Sequence, residues 1–189
     1  MGIHTQKVLE RICVRAQLPH RYGGLDTDVL LIDGANSSDL YLCVDFAQQY
    51  GLDVGETLNR IITSRAFTVY QLTDLIIQEL QNAITQYNSK IVIISNLLYF
   101  FTNDPYLNTK EMRTILEQIT SSLEKIKDCL VIVSLGIPTQ YDNIILKMFS
   151  RTIKIVDASY NTLSIHINDN GLQQTALIKK EELETVLIQ

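Results

Sequence analysis

The sequence lacks any long apolar run, and its first residues lack the apolar stretch of a secretory signal. A membrane-spanning helix needs about 20 consecutive apolar residues. A signal peptide needs a shorter apolar core near the start, which the opening Met-Gly-Ile-His-Thr-Gln-Lys does not contain. We therefore expect a soluble, cytoplasmic protein without membrane contact.

Cysteine is scarce, with only Cys13, Cys43 and Cys129 in 189 residues. These three cysteines are odd in number, far apart and set in mostly apolar segments. That pattern predicts neither a disulfide framework nor a zinc site. We expect free, buried thiols in a reducing compartment and no bound metal.

Basic charge is also scarce, because 16 Lys and Arg residues face 21 Asp and Glu residues, for a formal net charge of -5. The sequence pI is about 5.2. Proteins that coat nucleic acid rely on Lys and Arg to displace counterions from the phosphates. We therefore expect no bulk binding of DNA, so that any DNA contact is local or is made through a partner.

The sequence does contain 46% hydrophobic residues, arranged in alternating strand and helix patterns. This length and composition suit one well-buried core, which predicts a single domain over residues 1–189. Continuous apolar runs and runs at helical spacing alternate up to about residue 150. The predicted strands are 29–32, 60–64, 90–95 and 129–134, and the predicted helices are 7–17, a helix capped at 37–39 and ending at Gly51, 69–87, 109–127 and 141–149.

The character of the sequence changes after residue 150. Three short apolar runs, at 153–156, 163–167 and 175–178, are separated by turn-forming clusters, and residues 181–187 suit a helical turn. The order predicts an α/β fold, in which a parallel sheet flanked by helices is extended by a C-terminal antiparallel meander of about residues 151–180.

The stretch from Gly23 to Phe67 carries the most informative motifs. It includes Gly-Gly-Leu-Asp-Thr-Asp-Val-Leu-Leu-Ile-Asp, then Gly-Leu-Asp at 51–53, and ends in Thr-Ser-Arg-Ala-Phe. Together with Gln-Leu-Pro at 17–19, it resembles the RadA branch of the RecA-type strand-exchange recombinases. The resemblance extends over nearly the whole chain and implies a RecA-like P-loop NTPase core and a role in DNA recombination and repair.

The resemblance also shows that the phosphate loop has changed. It places the loop lysine at His4 and the preceding glycine at Ile3. A β-branched residue cannot easily replace a glycine whose backbone approaches phosphate, and a mostly neutral imidazole is a poor substitute for a permanent cation. Thr5 and Asp33 remain as vestigial cofactor-binding positions. The other interpretation of His4 is an exposed residue near a chain terminus.

Three further parts of the ATPase site differ from the family pattern. Ala35 stands where a glutamate activates the attacking water, and Ser95 stands where an aspartate holds magnesium. Leu135 and Gly136 replace an Asn-Gln pair that senses the terminal phosphate. We therefore predict a pseudo-ATPase that is not an enzyme, has no catalytic residues and uses no ATP or magnesium cofactor.

The family's phosphate-loop strand has no counterpart before Gly2, although the resemblance places it between strands 129–134 and 153–156. Three alternatives follow. The two flanking strands pair directly, another chain fills the gap, as in a homodimer, or the sequence is a fragment of a longer RadA-like recombinase.

Two loops that reach DNA in the family differ here as well. The first, residues 97–106, contains no Lys or Arg, and the second has shrunk to residues 136–140. Aromatic rings can stack on single-stranded bases. Without neighbouring cations, core or protein-interface roles are favoured for the aromatic residues Tyr99, Phe100, Phe101 and Tyr106.

One basic stripe is present, because Lys7, Arg11 and Arg15 share a face of the first helix. It could contact phosphates. The alternative, which we favour, is a solvated face that is paired in part with Glu10.

The resemblance also covers a region that the family uses for docking. Ala66, Phe67, Ile77 and Ile84 match the region that accepts a neighbour's Phe-x-x-Ala segment by strand addition in RadA filaments. The alternative is that these residues pack the strand against the following helix. Gln81, between the two isoleucines, departs from an apolar pocket.

These observations predict a non-catalytic RecA/RadA-like accessory protein of recombination and repair, which binds a RadA-type recombinase or another paralogue. One alternative is a weak nucleotide-binding ATPase that uses Thr5 and Asp33. Another is a single-stranded DNA-binding protein that uses the 97–106 loop and the basic stripe.

Overall fold

The computed structural model describes residues 3–183 and contains a parallel sheet of four strands. The strand order is β2-β1-β3-β4. The two central strands are buried along their whole length, as their continuous apolar sequences predict. The strands are β1 Val29–Asp33, β2 Ile61–Arg65, β3 Ile91–Ser95 and β4 Leu130–Val133.

Helices cover both faces of this sheet. The first face is covered by α1 Ile3–Arg15, α2 Leu40–Gln49 and α3 Val54–Asn59. The second is covered by α4 Val69–Asp74, α5 Leu80–Gln86, α6 Tyr99–Asn103, α7 Thr109–Leu123 and α8 Asp142–Leu146. Successive residues of β1 and β3 point alternately into the two cores, so that both helical layers are packed against the same strands.

Side-chain caps fix where several helices begin. Asp39 caps α2 by accepting a hydrogen bond from the Tyr41 amide. This agrees with the cap predicted among residues 37–39. Thr68 caps α4 through the Gln71 amide in the same way. Such caps each contribute about 1 kcal/mol.

The predicted helix over 69–87 is present, but a π-helical turn, Leu75–Glu79, interrupts it between α4 and α5. The short helices α3 and α6 fall where we predicted none. They have six and five residues, too few for an apolar periodicity to be recognised.

The C-terminal meander is present as predicted, with β5 Arg151–Ser159, β6 Thr162–Asp169 and β7 Leu172–Lys179 paired antiparallel. A 3-10 turn, Lys180–Leu183, follows, so the predicted turn at 181–187 is described only in part. The remainder of that segment lies outside the described residues.

We expected the meander to extend the parallel sheet. It instead forms a separate three-stranded sheet. The direct pairing of segments 129–134 and 153–156 is therefore wrong, and β4 has no outer strand partner within residues 3–183. The reason lies in what the meander contacts. Asp157 of β5 lies 3.5 Å from His4 Nε2, and the carbonyl of Glu182, in the 3-10 turn after β7, accepts a hydrogen bond from Arg11, so the meander and the turn after it both contact α1.

The cysteines are free, as expected, but only Cys13 and Cys43 are buried, whereas Cys129 is half-buried. Across residues 3–183, no three His, Cys, Asp or Glu side chains are grouped closely enough to hold a metal ion. No helix in the same part of the chain has the length and apolar character needed to cross a membrane.

Candidate functional site

The carboxyl ends of the parallel strands meet at one edge of the sheet, where open α/β sheets bind their ligands. Asp33 ends β1 and is in register with Ser95, which ends β3. Ser134 directly follows β4. The side chains at these strand ends therefore form the first candidate site.

The Asp33 carboxylate is fully buried and is surrounded by donors from its own chain. It accepts hydrogen bonds from the amides of Ala35, Ser37 and Ser38, at 3.3, 3.1 and 2.8 Å, and from the Ser95 hydroxyl at 3.1 Å. Burial alone would raise the pKa of Asp33, but the bonds from Ser38, Ser37 and Ala35 outweigh it and hold that pKa below its ordinary value. The carboxylate is thus stabilised in its charged form by hydrogen-bond donors of its own chain.

The hydrogen-bond network continues from this carboxylate to α1. The Asn96 side-chain amide donates to the Ser37 hydroxyl at 3.0 Å, and that hydroxyl donates to the Gln6 side-chain oxygen at 3.4 Å. The Asn96 backbone amide donates to the Ser134 hydroxyl at 2.9 Å. Within residues 3–183 no buried side-chain nitrogen or oxygen lacks a hydrogen-bond partner. The polar groups at this edge therefore satisfy one another.

Two glycines allow the loops at this edge to pack closely. A Cβ atom at Gly34 would lie 2.6 Å from the Ser95 carbonyl oxygen, which is too close for any side chain. Gly136 has φ of 85°, and a Cβ there would lie 3.1 Å from the Asn96 side-chain oxygen. The loop after β4, which contains Gly136, thus lies against the hydrogen-bond network around Asn96.

The predicted phosphate-loop positions lie at the start of α1. Ile3 begins the helix, and Thr5 is partly buried in its first turn. The interpretation of His4 as an exposed terminal residue is wrong, because its side chain is only 22% exposed and lies against Asp157. The meander has added this contact, and the sequence near His4 gave no sign of it.

Glu10 is a buried carboxylate that sequence reasoning placed on the surface. It is 1% exposed and accepts hydrogen bonds from the Asp39 amide at 2.9 Å, from the Cys43 thiol at 3.2 Å and from the Gln6 side chain. The expected partial pairing of Glu10 with the basic stripe is therefore wrong. Burial raises the pKa of Glu10, which joins α1 to the start of α2.

A spacing signal could have indicated this burial. Gln6, Glu10 and Cys13 recur at helical spacing, and they share the face that enters the core. Polar residues at core-facing positions are a sign of an internal hydrogen-bond network rather than of a solvated face.

The basic stripe of Lys7, Arg11 and Arg15 is only partly exposed to solvent. Lys7 and Arg11 are partly buried, and Arg15 is exposed. Arg11 donates to the Tyr50 hydroxyl at 3.3 Å and to the Glu182 carbonyl at 2.9 Å. The C-terminal 3-10 turn therefore engages the middle of the stripe.

The aromatic residues of the 97–106 loop lie partly in the core and partly at the surface. Phe101 is fully buried, and Phe100 packs against the same core, with its ring at a 79° angle to that of Tyr99. Tyr99 is half-exposed, and Tyr106 is 93% exposed. Packing explains the two phenylalanines and leaves the two tyrosines at the surface.

The outer edge of β2 is the second candidate site. β2 pairs with β1 on one side and has no outer strand partner in the described part of the chain. Ala66 is fully buried, and Ile77 and Ile84 pack against the same core, as the packing interpretation predicts. Packing does not explain Phe67, which is 68% exposed. The Phe67 amide donates to the Gln71 side chain at 2.9 Å, which ties this aromatic residue to α4.

The four-stranded parallel sheet, its two helical layers and the C-terminal antiparallel sheet define an α/β protein with a RecA-like fold. The sequence matches the Rad51 family model over residues 3–141, which is more than half of the 189 residues. The chain belongs to the Rad51 family, which confirms the resemblance to RadA and RecA-type recombinases. It is therefore a RecA-family protein of recombination and repair.

Proposed function

We propose that this chain is a non-catalytic accessory of DNA recombination and repair that binds a RadA-type recombinase or another paralogue through the outer edge of β2. The observation that carries the proposal is Phe67, a 68% exposed aromatic residue beside a strand edge without a partner among the described residues. Exposed aromatic residues next to free strand edges are features of interfaces that add a strand.

The carboxyl edge of the sheet supports the absence of catalysis. Phosphoryl transfer needs a metal-bound phosphate, a cation and a residue that orients the attacking water. At this edge Ala35 offers only a methyl group, and the Ser95 hydroxyl donates to Asp33. The Asp33 carboxylate accepts hydrogen bonds from its own loop, so a metal ion would have to displace them.

The β2 edge supports docking. An edge strand presents unpaired backbone N-H and C=O groups, which an extended segment of another chain can pair with. Phe67 is the second residue after this strand and follows the buried Ala66, so an added strand would contact the aromatic ring. Backbone pairing would supply affinity and the ring would supply an anchor.

Isothermal titration calorimetry of the cognate recombinase into the full chain tests this proposal. The informative variant is Phe67→Glu, because Ala66 is fully buried and a glutamate there would disrupt the core. Tyr41→Glu is the matched control, since Tyr41 is an 83% exposed aromatic residue on α2. We expect binding that Phe67→Glu weakens by about tenfold or more and that Tyr41→Glu leaves unchanged. Absence of binding by the unmodified chain would refute the proposal.

A further inference from the structure

A groove of about 620 Å³ runs between α4 and α7, beginning one helical turn after Phe67. Tyr70 and Asp74 line it from α4, and Glu111 and Ile115 line it from α7. The groove therefore continues the surface that starts at the β2 edge.

The two walls of the groove are joined at one end. The Tyr70 hydroxyl donates to the Glu111 carboxylate at 2.7 Å. Ile115 is buried and belongs to the core, so it provides an apolar floor. The groove thus has a fixed end and an apolar base.

The rim of the groove carries an excess of negative charge. The lining residues include two carboxylates, Asp74 and Glu111, and one cation, Lys110. Glu111, through its hydrogen bond, and Asp104, more weakly, raise the pKa of Tyr70. Within residues 3–183 Asp74 forms no salt bridge, so its charge is available to a partner.

We infer that this groove receives a lysine or arginine side chain from the recombinase segment that docks on β2. Such a side chain lays its methylene stem on an apolar floor and places its cation among carboxylates. Ile115 supplies the floor, and Asp74 and Glu111 supply the carboxylates. The inference rests on the proposed docking function and adds the charge that the docking segment must carry.

Charge reversal at Asp74 tests the inference in the same calorimetric titration of the cognate recombinase into the full chain. Asp74→Lys changes an exposed residue, so the fold should be kept, which a thermal melt checks. Asp45→Lys is the matched control, because Asp45 is an exposed aspartate on α2, which covers the other face of the sheet. We expect Asp74→Lys to weaken binding about fivefold to tenfold at low salt, less at high salt, with no change for Asp45→Lys.

A reciprocal substitution completes the test. Reversing the lysine or arginine of the recombinase segment to glutamate should restore binding to the Asp74→Lys chain, because the pair is then inverted. If Phe67→Glu weakens binding and Asp74→Lys does not, the groove inference is wrong and the docking proposal stands. If the unmodified chain does not bind, the docking proposal itself fails.

Discussion

The Ser95 hydroxyl donates a 3.1 Å hydrogen bond to the Asp33 carboxylate across two neighbouring parallel strands. Both side chains are buried, and both stand at the sheet edge where the RecA-type fold places its ATPase chemistry. In this pair a neutral hydroxyl group donates to the buried carboxylate.

Ser95→Asp should destabilise the chain rather than rebuild a magnesium site. A second carboxylate would face Asp33 in a buried position, and like charges at short range cannot both ionise without a large cost. We expect the free energy of unfolding to fall by about 2–4 kcal/mol at pH 7 in urea denaturation. Ser95→Ala, which removes one hydrogen bond, should cost about 1 kcal/mol. Strong stabilisation of the Ser95→Asp variant by magnesium would show instead that a metal site is latent here.

Asp33→Asn should also destabilise the chain, by about 1–3 kcal/mol. The amide nitrogen of the new side chain would face the Ser38 backbone amide, so that two donors meet without an acceptor. Because the pKa of Asp33 is lowered in the folded state, its contribution is present above its unfolded pKa and is lost as the pH falls through the folded value. Urea denaturation of both chains at neutral and acidic pH should therefore give curves that converge in acid. A constant difference at every pH would contradict this assignment.

Glu10 should show the opposite dependence on pH. Its pKa is raised by burial, so between its ordinary value of 4.5 and the higher folded value the native state holds the extra proton. The stability of the native chain should fall as the pH rises through that window, and Glu10→Gln should lack this fall. Chemical denaturation at several pH values checks the comparison. Glu10→Ala serves as a second variant, because it leaves the Asp39 amide without this acceptor and should lose about 1–3 kcal/mol at every pH.

Much of the fold follows from apolar patterns in the sequence. The parallel strands are short continuous apolar runs, and the long helices have clear apolar faces, so their places in the chain could be predicted. The short helices α3 and α6 could not be predicted, because each is less than two turns long.

The candidate sites were harder to predict from the sequence than the fold, because they depend on contacts between distant segments. The position of Ser95 was predicted, but its bond to Asp33 follows only from the strand register. The contact of His4 with Asp157 depends on where the meander lies, which no local pattern encodes. Phe67 and Ala66 are adjacent and apolar, yet one is exposed and the other is buried, and only their positions after β2 distinguish them.

Hydrogen–deuterium exchange of the full chain, measured alone, with the cognate recombinase, and with ATP and magnesium, tests docking at β2 and nucleotide binding at the carboxyl edge of the sheet in one experiment. We expect the recombinase to slow exchange over residues 61–67, where the outer edge of β2 and Phe67 lie. We also expect ATP and magnesium to leave exchange unchanged over residues 33–38 and 95–96, where the hydrogen-bond network of Asp33 lies. Protection of residues 33–38 by ATP, together with no effect of the recombinase on residues 61–67, would show instead that the chain binds nucleotide and does not dock through β2.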